Sequence, residues 1–299
     1  MKILVTGATG YVGSAVSETL RKAGHQVMGL ARSDESARKL ESRGHLVCRG
    51  DLDAPESLKA AAAGVDGVIH AAMVFDGRAG ERDRAAVEAL LAALEGTGKA
   101  FVYSSGVWVM GDTGGRIHGE VSALKPPPLV RWRPAVEEMV LEAKERGVKG
   151  VVLRAGTVYG RKGGRVAGFF RDARERGSIR IVGEGRNCWS TVHVDDLAEL
   201  YARAVTEPAA GELFIACGGM PQPVEKIARA VAKACGLEPP LEARVEAVAV
   251  EQARAEMGPV AECLAMDCRA GSTKAARFFG WTVQRPSIFD EILGGSYLE

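Results

Sequence analysis

The sequence predicts an α/β fold: a doubly wound parallel sheet with a smaller, mostly helical C-terminal part. Three observations predict it. Short aliphatic runs alternate with amphipathic segments through the first half of the chain, the rhythm of strand–helix–strand units. Most of these runs are apolar at successive positions, as strands covered on both faces require. The first of them, Lys2–Thr6, runs straight into Gly7-Ala8-Thr9-Gly10-Tyr11-Val12-Gly13, a glycine turn that opens a helix.

Strands are expected at Lys2–Thr6, Gln26–Ala31, Leu46–Arg49, Gly67–Ala71, Ala100–Ser104 and Gly150–Arg154. Between them the apolar spacing predicts helices over Ser14–Ala23, Asp34–Ser42, Pro55–Ala63, Glu81–Leu94 and Arg133–Glu145. Pro55 suits a first helical turn, where its missing N–H costs little. The second half is less regular. Helices are read over Val166–Arg176, Asp195–Val205, Val224–Cys235, Val248–Met257 and Ser272–Phe279, with a strand at Leu213–Ala216. Pro239-Pro240 interrupts the pattern. The loop Gly111–Pro128 carries four glycines and three consecutive prolines, and its length marks it as functional or mobile.

The glycine turn is the most specific motif. One glycine permits the tight strand-to-helix turn. Another lets backbone N–H groups approach a pyrophosphate, and a third lets helix and strand pack closely. The positive end of the helix dipole faces the bound phosphates. With a strand before it and a helix after it, the turn reads as a dinucleotide site in a Rossmann-type domain. Residues 1–160 form that domain, with strands also drawn from 190–217. Residues 161–299 form mainly the substrate-binding part, resting on the C-terminal ends of the strands.

The residue closing the second strand discriminates between dinucleotides, because a carboxylate there bonds the ribose hydroxyls of NAD. Here Ala31 stands at that position and Arg32 and Ser33 follow. No carboxylate repels a 2′-phosphate, Arg32 offers a cation with a fork of donors, and Ser33 adds a hydroxyl. NADP is therefore expected over NAD. The competing reading leaves Arg32 solvated and sends Asp34 to the ribose. Asp51, in Gly50-Asp51-Leu52, is placed either at the adenine amino group or in a turn. His70, before Ala71-Ala72, is either functional or a satisfied buried imidazole.

At 299 residues the chain is long enough for one large domain or two. Its 46% apolar and 26% charged content is that of a globular enzyme. A net charge of +1 gives no footing for nucleic acid or an anionic membrane. No apolar run approaches a span of about 20 residues, and the apolar N-terminus is already a strand rather than a signal peptide. Cys48, Cys188, Cys217, Cys235, Cys263 and Cys268 are scattered, without zinc-site spacing, and read as buried thiols in a reducing cytoplasm with no metal.

Taken together, these motifs resemble the extended short-chain dehydrogenase/reductase superfamily, specifically its NAD(P)-dependent epimerase/dehydratase group. The resemblance covers nearly the whole chain. Thr6–Gly13 matches the glycine motif, Gly50-Asp51-Leu52 the adenine contact, and His70-Ala71-Ala72 the fourth-strand motif. Arg154–Gly160, His193–Ala198 and Ser272–Trp281 resemble the later signatures. The resemblance implies Gly7, Thr9, Gly10, Tyr11, Val12, Gly13, Asp51, Leu52, His70, Ala71, Ala72 and Ser104 as cofactor-binding positions, a small-molecule substrate, and a homodimer built through two long sheet helices.

It also implies a catalytic Ser, a Tyr and a Lys four residues later, and here the sequence departs. Counting back from Gly111, the serine position falls on Gly106, with Ser105 one residue early. With Glu137 as the glutamate after the lysine, the lysine position is Arg133 and the tyrosine position Leu129. No Tyr-x-x-x-Lys occurs in the chain. The chain thus resembles an atypical member. Arg133 can hold a ribose but not exchange a proton near neutral pH, its pKa being above ~12. Ser105 can bond a substrate oxygen, and Tyr159, Tyr103, Lys162 and His70 are the nearest acids. Trp108, Trp132 and Trp189 are either a substrate wall or packing. The basic loop Arg161–Arg165 is either a phosphate site or solvated. Ser105, His193 and Asp195 lack the Gly-x-Ser-x-Gly elbow of a hydrolase. Three functions follow: oxidation or reduction of a small carbonyl or alcohol with a substituted proton donor, a non-catalytic NADP(H)-binding regulatory module, or a nucleotide-sugar epimerase or dehydratase.

Overall fold

The computed structural model describes residues 1–298. The elements follow in order: β1 (Lys2–Thr6), α1 (Tyr11–Lys22), β2 (Gln26–Ala31), α2 (Asp34–Ser42), β3 (Leu46–Arg49), α3 (Pro55–Ala63), β4 (Gly67–His70), α4 (Ala79–Leu94), β5 (Ala100–Gly106), α5 (Arg133–Glu142) and β6 (Lys149–Ala155). Then come β7 (Thr157–Tyr159), α6 (Gly164–Arg176), β8 (Ile179–Val182), β9 (Cys188–His193), α7 (Val194–Thr206), β10 (Glu212–Ala216), β11 (Gly218–Pro223), α8 (Val224–Ala234), β12 (Val245–Val248), α9 (Val250–Met257), α10 (Val260–Ala265), α11 (Thr273–Phe279) and α12 (Ile288–Gly294).

Seven strands form the central sheet in the order β3-β2-β1-β4-β5-β6-β10. Pairing is parallel from β3 through β5. The reversal of order between β1 and β4 is the switch point at which such sheets bind ligands. Leu58, Val68, Leu90, Leu91, Phe101, Val140 and Val152 are fully buried in one cluster that joins the sheet to α3, α4 and α5. Each such side chain contributes about 1.5–3 kcal/mol by leaving water. Local signals agree with this packing. Ser33 caps α2 by accepting from the Ser36 amide at 3.2 Å, and Pro55 begins α3.

The chain divides into two compact units. The first comprises Met1–Ser105, Trp132–Arg154 and Leu197–Phe214; the second comprises Gly106–Arg131, Ala155–Asp196 and the chain from Ile215 onward. A single boundary at 160 therefore does not describe the division, since Gly106–Arg131 and 155–160 go with the second unit. Of the strands expected from 190–217, β10 joins the central sheet. Its neighbour in sequence, β9, instead pairs with β7 and β11.

The second unit holds that three-stranded sheet, the two-stranded β12-β8 sheet and helices packed around Phe170, Ile179, Trp189, Ile227 and Ile292. Loop 111–128 is anchored at several points. The Thr113 amide donates to the Asp267 carbonyl at 2.7 Å, and the His118 amide to that of Arg269 at 2.9 Å. The Glu120 carboxylate accepts the Ile215 amide at 3.2 Å. These bonds tie down a segment that its length marked as functional or mobile. Among the described residues no helix is long and apolar enough to cross a membrane, no cluster of metal-binding side chains occurs, and all six cysteines are free.

Candidate functional site

The first unit brings the residues after β1, β2, β3 and β4 around one cavity of about 390 Å³. The glycine turn supplies Gly7, Thr9, Gly10, Tyr11, Val12 and Gly13; β2 leads to Arg32, β3 to Asp51 and Leu52, and β4 to Ala71 and Ala72. The backbone explains two of the glycines. Gly7 has φ +73°, and a Cβ there would stand 2.8 Å from the Ala71 carbonyl oxygen. At Gly13 a Cβ would stand 2.1 Å from the Gly7 carbonyl oxygen, so only glycine lets α1 close onto the turn. The first turn of α1 carries no carboxylate, which leaves its positive end open to an anion. These features fit a dinucleotide pyrophosphate.

The end of β2 is equally informative. Arg32 is exposed at the cavity and has no carboxylate partner among the described residues. Asp34, the acid that was to compete for the ribose, is held by Arg49 at 2.6 Å. Ser33 was expected at the phosphate, but it does not line the cavity, and its hydroxyl caps α2. Ser36, one helical turn on, lines the cavity instead. Asp51 lines the cavity, and its Oδ1 accepts the Asp53 amide at 3.0 Å, the turn contact anticipated for it.

His70 is the second correction. It does not line the cavity but lies behind it, 1% exposed, with both ring nitrogens engaged. Nδ1 meets Thr6 Oγ1 at 2.8 Å and Nε2 meets Asp83 Oδ1 at 3.2 Å. Asp83 also accepts from the Tyr103 hydroxyl at 2.6 Å and the Trp132 indole at 2.9 Å. Burial works against its charge, but the bonds from His70 and Tyr103 and the nearby Arg133 cation hold its carboxyl below the usual range. Burial pushes the Tyr103 phenol well above its ordinary value, which removes it as an acid near neutral pH. Nothing in the sequence marked Asp83 as the centre of this network.

The catalytic candidates are all engaged. Ser105 donates its hydroxyl to Glu137, and Arg154 grips the same carboxylate through Nε at 3.1 and 3.2 Å and Nη2 at 2.5 Å. Arg133 is buried; its Nη1 donates to the Ser104 carbonyl at 2.7 Å, and its Nε has no partner. Its guanidinium carbon lies 6.0 Å from the centre of the Tyr103 ring. Ser104 does not line the cavity; its hydroxyl accepts from Tyr201 at 2.7 Å. In the second unit Tyr159 donates to the Pro286 carbonyl at 2.8 Å, and burial raises its phenol far above its ordinary value. The Tyr159 hydroxyl is thus committed to a backbone carbonyl in this structure. Leu129, in the tyrosine position, packs against the apolar cluster of Val107, Val130 and Cys217.

The tryptophans divide likewise. Trp132 is tied to Asp83, while Trp189 is buried against Phe169 and donates to the Leu264 carbonyl at 3.2 Å. Trp108 lies under Arg165, 5.6 Å from its ring centre. In the basic loop Arg161 is paired with Asp195 at 2.6 Å. Sequence reading missed Leu30, Asp53, Met73, Val74 and Arg82 as cavity residues. The apolar ones carry no signal of their own, and Arg82 lies on a helix turn that only the fold brings to the cavity.

Residues 3–216 match the model of the NAD dependent epimerase/dehydratase family. An uncharacterized protein of Schizosaccharomyces pombe is 31% identical over 99% of this chain and 100% of its own length. A 2-alkyl-3-oxoalkanoate reductase of Stenotrophomonas maltophilia is 28% identical over 79% of this chain and 76% of its own. The solved UDP-glucose 4-epimerase of Thermus thermophilus in complex with NAD superposes with a TM-score of 0.81 at 21% identity, covering 100% of this chain and 99% of that one. The glycine cradle, the cavity at the switch point of the sheet and these likenesses lead to one conclusion: the chain belongs to the NAD dependent epimerase/dehydratase family, whose fold and NAD(P)-binding oxidoreductase character it shares.

Proposed function

We propose that the chain is an NADP-dependent oxidoreductase that reduces a small carbonyl compound or oxidises the matching alcohol, with a proton donor other than a tyrosine–lysine pair. The observation that carries the cofactor choice is the end of β2, where Arg32 stands without a carboxylate partner and Asp34 is held by Arg49. When bound, the dinucleotide supplies or accepts the hydride. Gly7, Gly10 and Gly13 seat its pyrophosphate, Asp51 and Leu52 its adenine, and Arg32 with Ser36 its 2′-phosphate. Arg133 places a fixed, buried cation where the lysine would orient the nicotinamide ribose. The reductase relative supports a carbonyl substrate.

A specific observation favours a second reading, a non-catalytic NADP(H)-binding module. The hydroxyls of Ser105 and Tyr159 and the guanidinium of Arg133 are all donated to protein acceptors. The pairing of Arg161 with Asp195 counts against a nucleotide-sugar phosphate in that loop. The test is fluorescence titration with NADPH and NADH, followed by NADPH oxidation across a panel of ketones, aldehydes and 3-oxoacids. Tighter binding of NADPH with turnover of at least one carbonyl supports the oxidoreductase. Tight binding without turnover favours the module, and preference for NADH overturns the cofactor assignment.

A further inference from the structure

Arg82, which the cofactor reading does not use, ties the two walls of the cavity together. One wall follows β3 and includes Leu52 and Asp53; the other follows β4 and includes Met73 and Val74. From the first turn of α4, Arg82 donates through Nε to Asp53 at 2.9 Å and through Nη1 to Asp76 at 2.8 Å. Its side chain is only 13% exposed, whereas Asp53 and Asp76 are 44% and 43% exposed. Asp76 is itself fixed to the start of α4, where its Oδ1 accepts the Arg78 amide at 2.9 Å. The segment between Ala72 and Arg78 thus crosses beside the cavity as a strap. It is attached at one end to β4 and at the other, through Arg82, to the opposite wall.

Resting on the reading of this cavity as the dinucleotide site, we propose that Arg82 is a positioning residue that clasps the Met73–Asp76 strap against the Asp53 wall and governs how fast the bound dinucleotide leaves. Two physical arguments support the role. A planar guanidinium with a fork of donors can satisfy two carboxylates from different segments at once, which an ammonium does less well. Its cation also neutralises Asp53 and Asp76. Without it, both carboxylates would stand closer to uncompensated beside an anionic ligand, and the strap would keep only the longer Arg78–Asp53 contact of 3.9 Å to the far wall. A ligand held behind a closing segment leaves no faster than that segment opens, so weakening the clasp acts on the dissociation rate.

Asp76 provides the clean variant, because it holds the strap without lining the cavity. Stopped-flow release of NADPH should be about tenfold faster in Arg82→Ala and several-fold faster in Asp76→Asn, the share of one charge-assisted hydrogen bond. The double variant should be no faster than Arg82→Ala alone, since both substitutions break one connection. Hydrogen exchange of the ligand-free proteins supplies the second readout: amides of 73–77 should exchange faster in both variants, with β1 and β5 unchanged. Release rates equal to wild type, or additive effects in the double variant, would overturn the clasp alone. Failure of the wild-type protein to bind any nicotinamide dinucleotide would overturn the cofactor assignment and the clasp with it.

Discussion

Replacing Glu137 with Gln tests a buried arginine–carboxylate pair in the first unit. The Arg154 and Glu137 side chains are 4% and 2% exposed. The carboxylate takes three contacts from Arg154 and one from Ser105. Glutamine keeps the shape and one carbonyl acceptor but removes the charge. Arg154 is then a buried cation without a counterion, and its Nη1 already lacks a partner. Breaking a buried pair from one side costs about 3–5 kcal/mol, a large share of a typical stability of about 5–15 kcal/mol. Urea unfolding followed by circular dichroism should show the midpoint falling by roughly 1–2 M with an unchanged slope. The double variant Glu137→Met with Arg154→Met removes both charges and should recover most of the loss, because paired apolar replacements are often neutral or stabilising. A Glu137→Gln protein within about 1 kcal/mol of wild type would refute the reasoning, since it would mean that Arg154 finds another partner or water.

Two further outcomes follow from the same structure. Arg32→Ala should weaken NADPH binding about tenfold, the share of one exposed charge-assisted contact, and leave NADH within about twofold; equal losses for both would show that Arg32 does not read the 2′-phosphate. Burial of His193 lowers its pKa below the ordinary value, against the opposing pull of Asp195, Glu291 and Asp196. A base whose folded pKa is depressed gives up stability as pH falls from about 6.5 through that lower value. Melting temperature should therefore drop between pH 7.5 and 5.5, and drop less in His193→Gln. Parallel pH profiles for the two proteins would exclude His193 as a source, leaving His25 and His45, which burial shifts the same way.

The first half of the fold was legible because its signals are local. Lys2–Thr6, Asp34–Ser42 and Pro55–Ala63 coincide with the observed β1, α2 and α3, each bounded by a glycine turn, a serine cap or a first-turn proline. In the second half, β7, β8, β9, β11 and β12 are short or carry Gly, Pro and charged residues; β11 reads Gly-Gly-Met-Pro-Gln-Pro. Their pairing partners lie far away in sequence, as with Val245 beside Ile179. No periodicity within so few residues could announce them. The anchoring of loop 111–128 was illegible for the same reason, since its hydrogen bonds go to 215 and 267–271.

The site divides along the same physical line. A glycine that must clear a neighbouring carbonyl is constrained by backbone sterics, so Gly7 and Gly13 could be assigned from the turn they form. What a polar side chain faces depends on hydrogen-bond partners that come from elsewhere in the chain. Ser33 was read as a phosphate ligand, yet Ser36 is three residues away and captures it as a cap. His70 was open between function and burial, and Asp83 from α4 decides for burial. Ser105 was read as able to bond a substrate oxygen, and its hydroxyl instead donates to Glu137, 32 residues on, which Arg154 also grips. The same rule bears on Leu129 and Arg133. An apolar residue in the tyrosine position and a permanently charged one in the lysine position leave no group there that can change protonation state near neutral pH. Under the oxidoreductase reading, the proton must therefore arrive from outside those two positions. A substitution at Arg133 should accordingly alter dinucleotide binding while leaving the shape of the pH–rate profile unchanged.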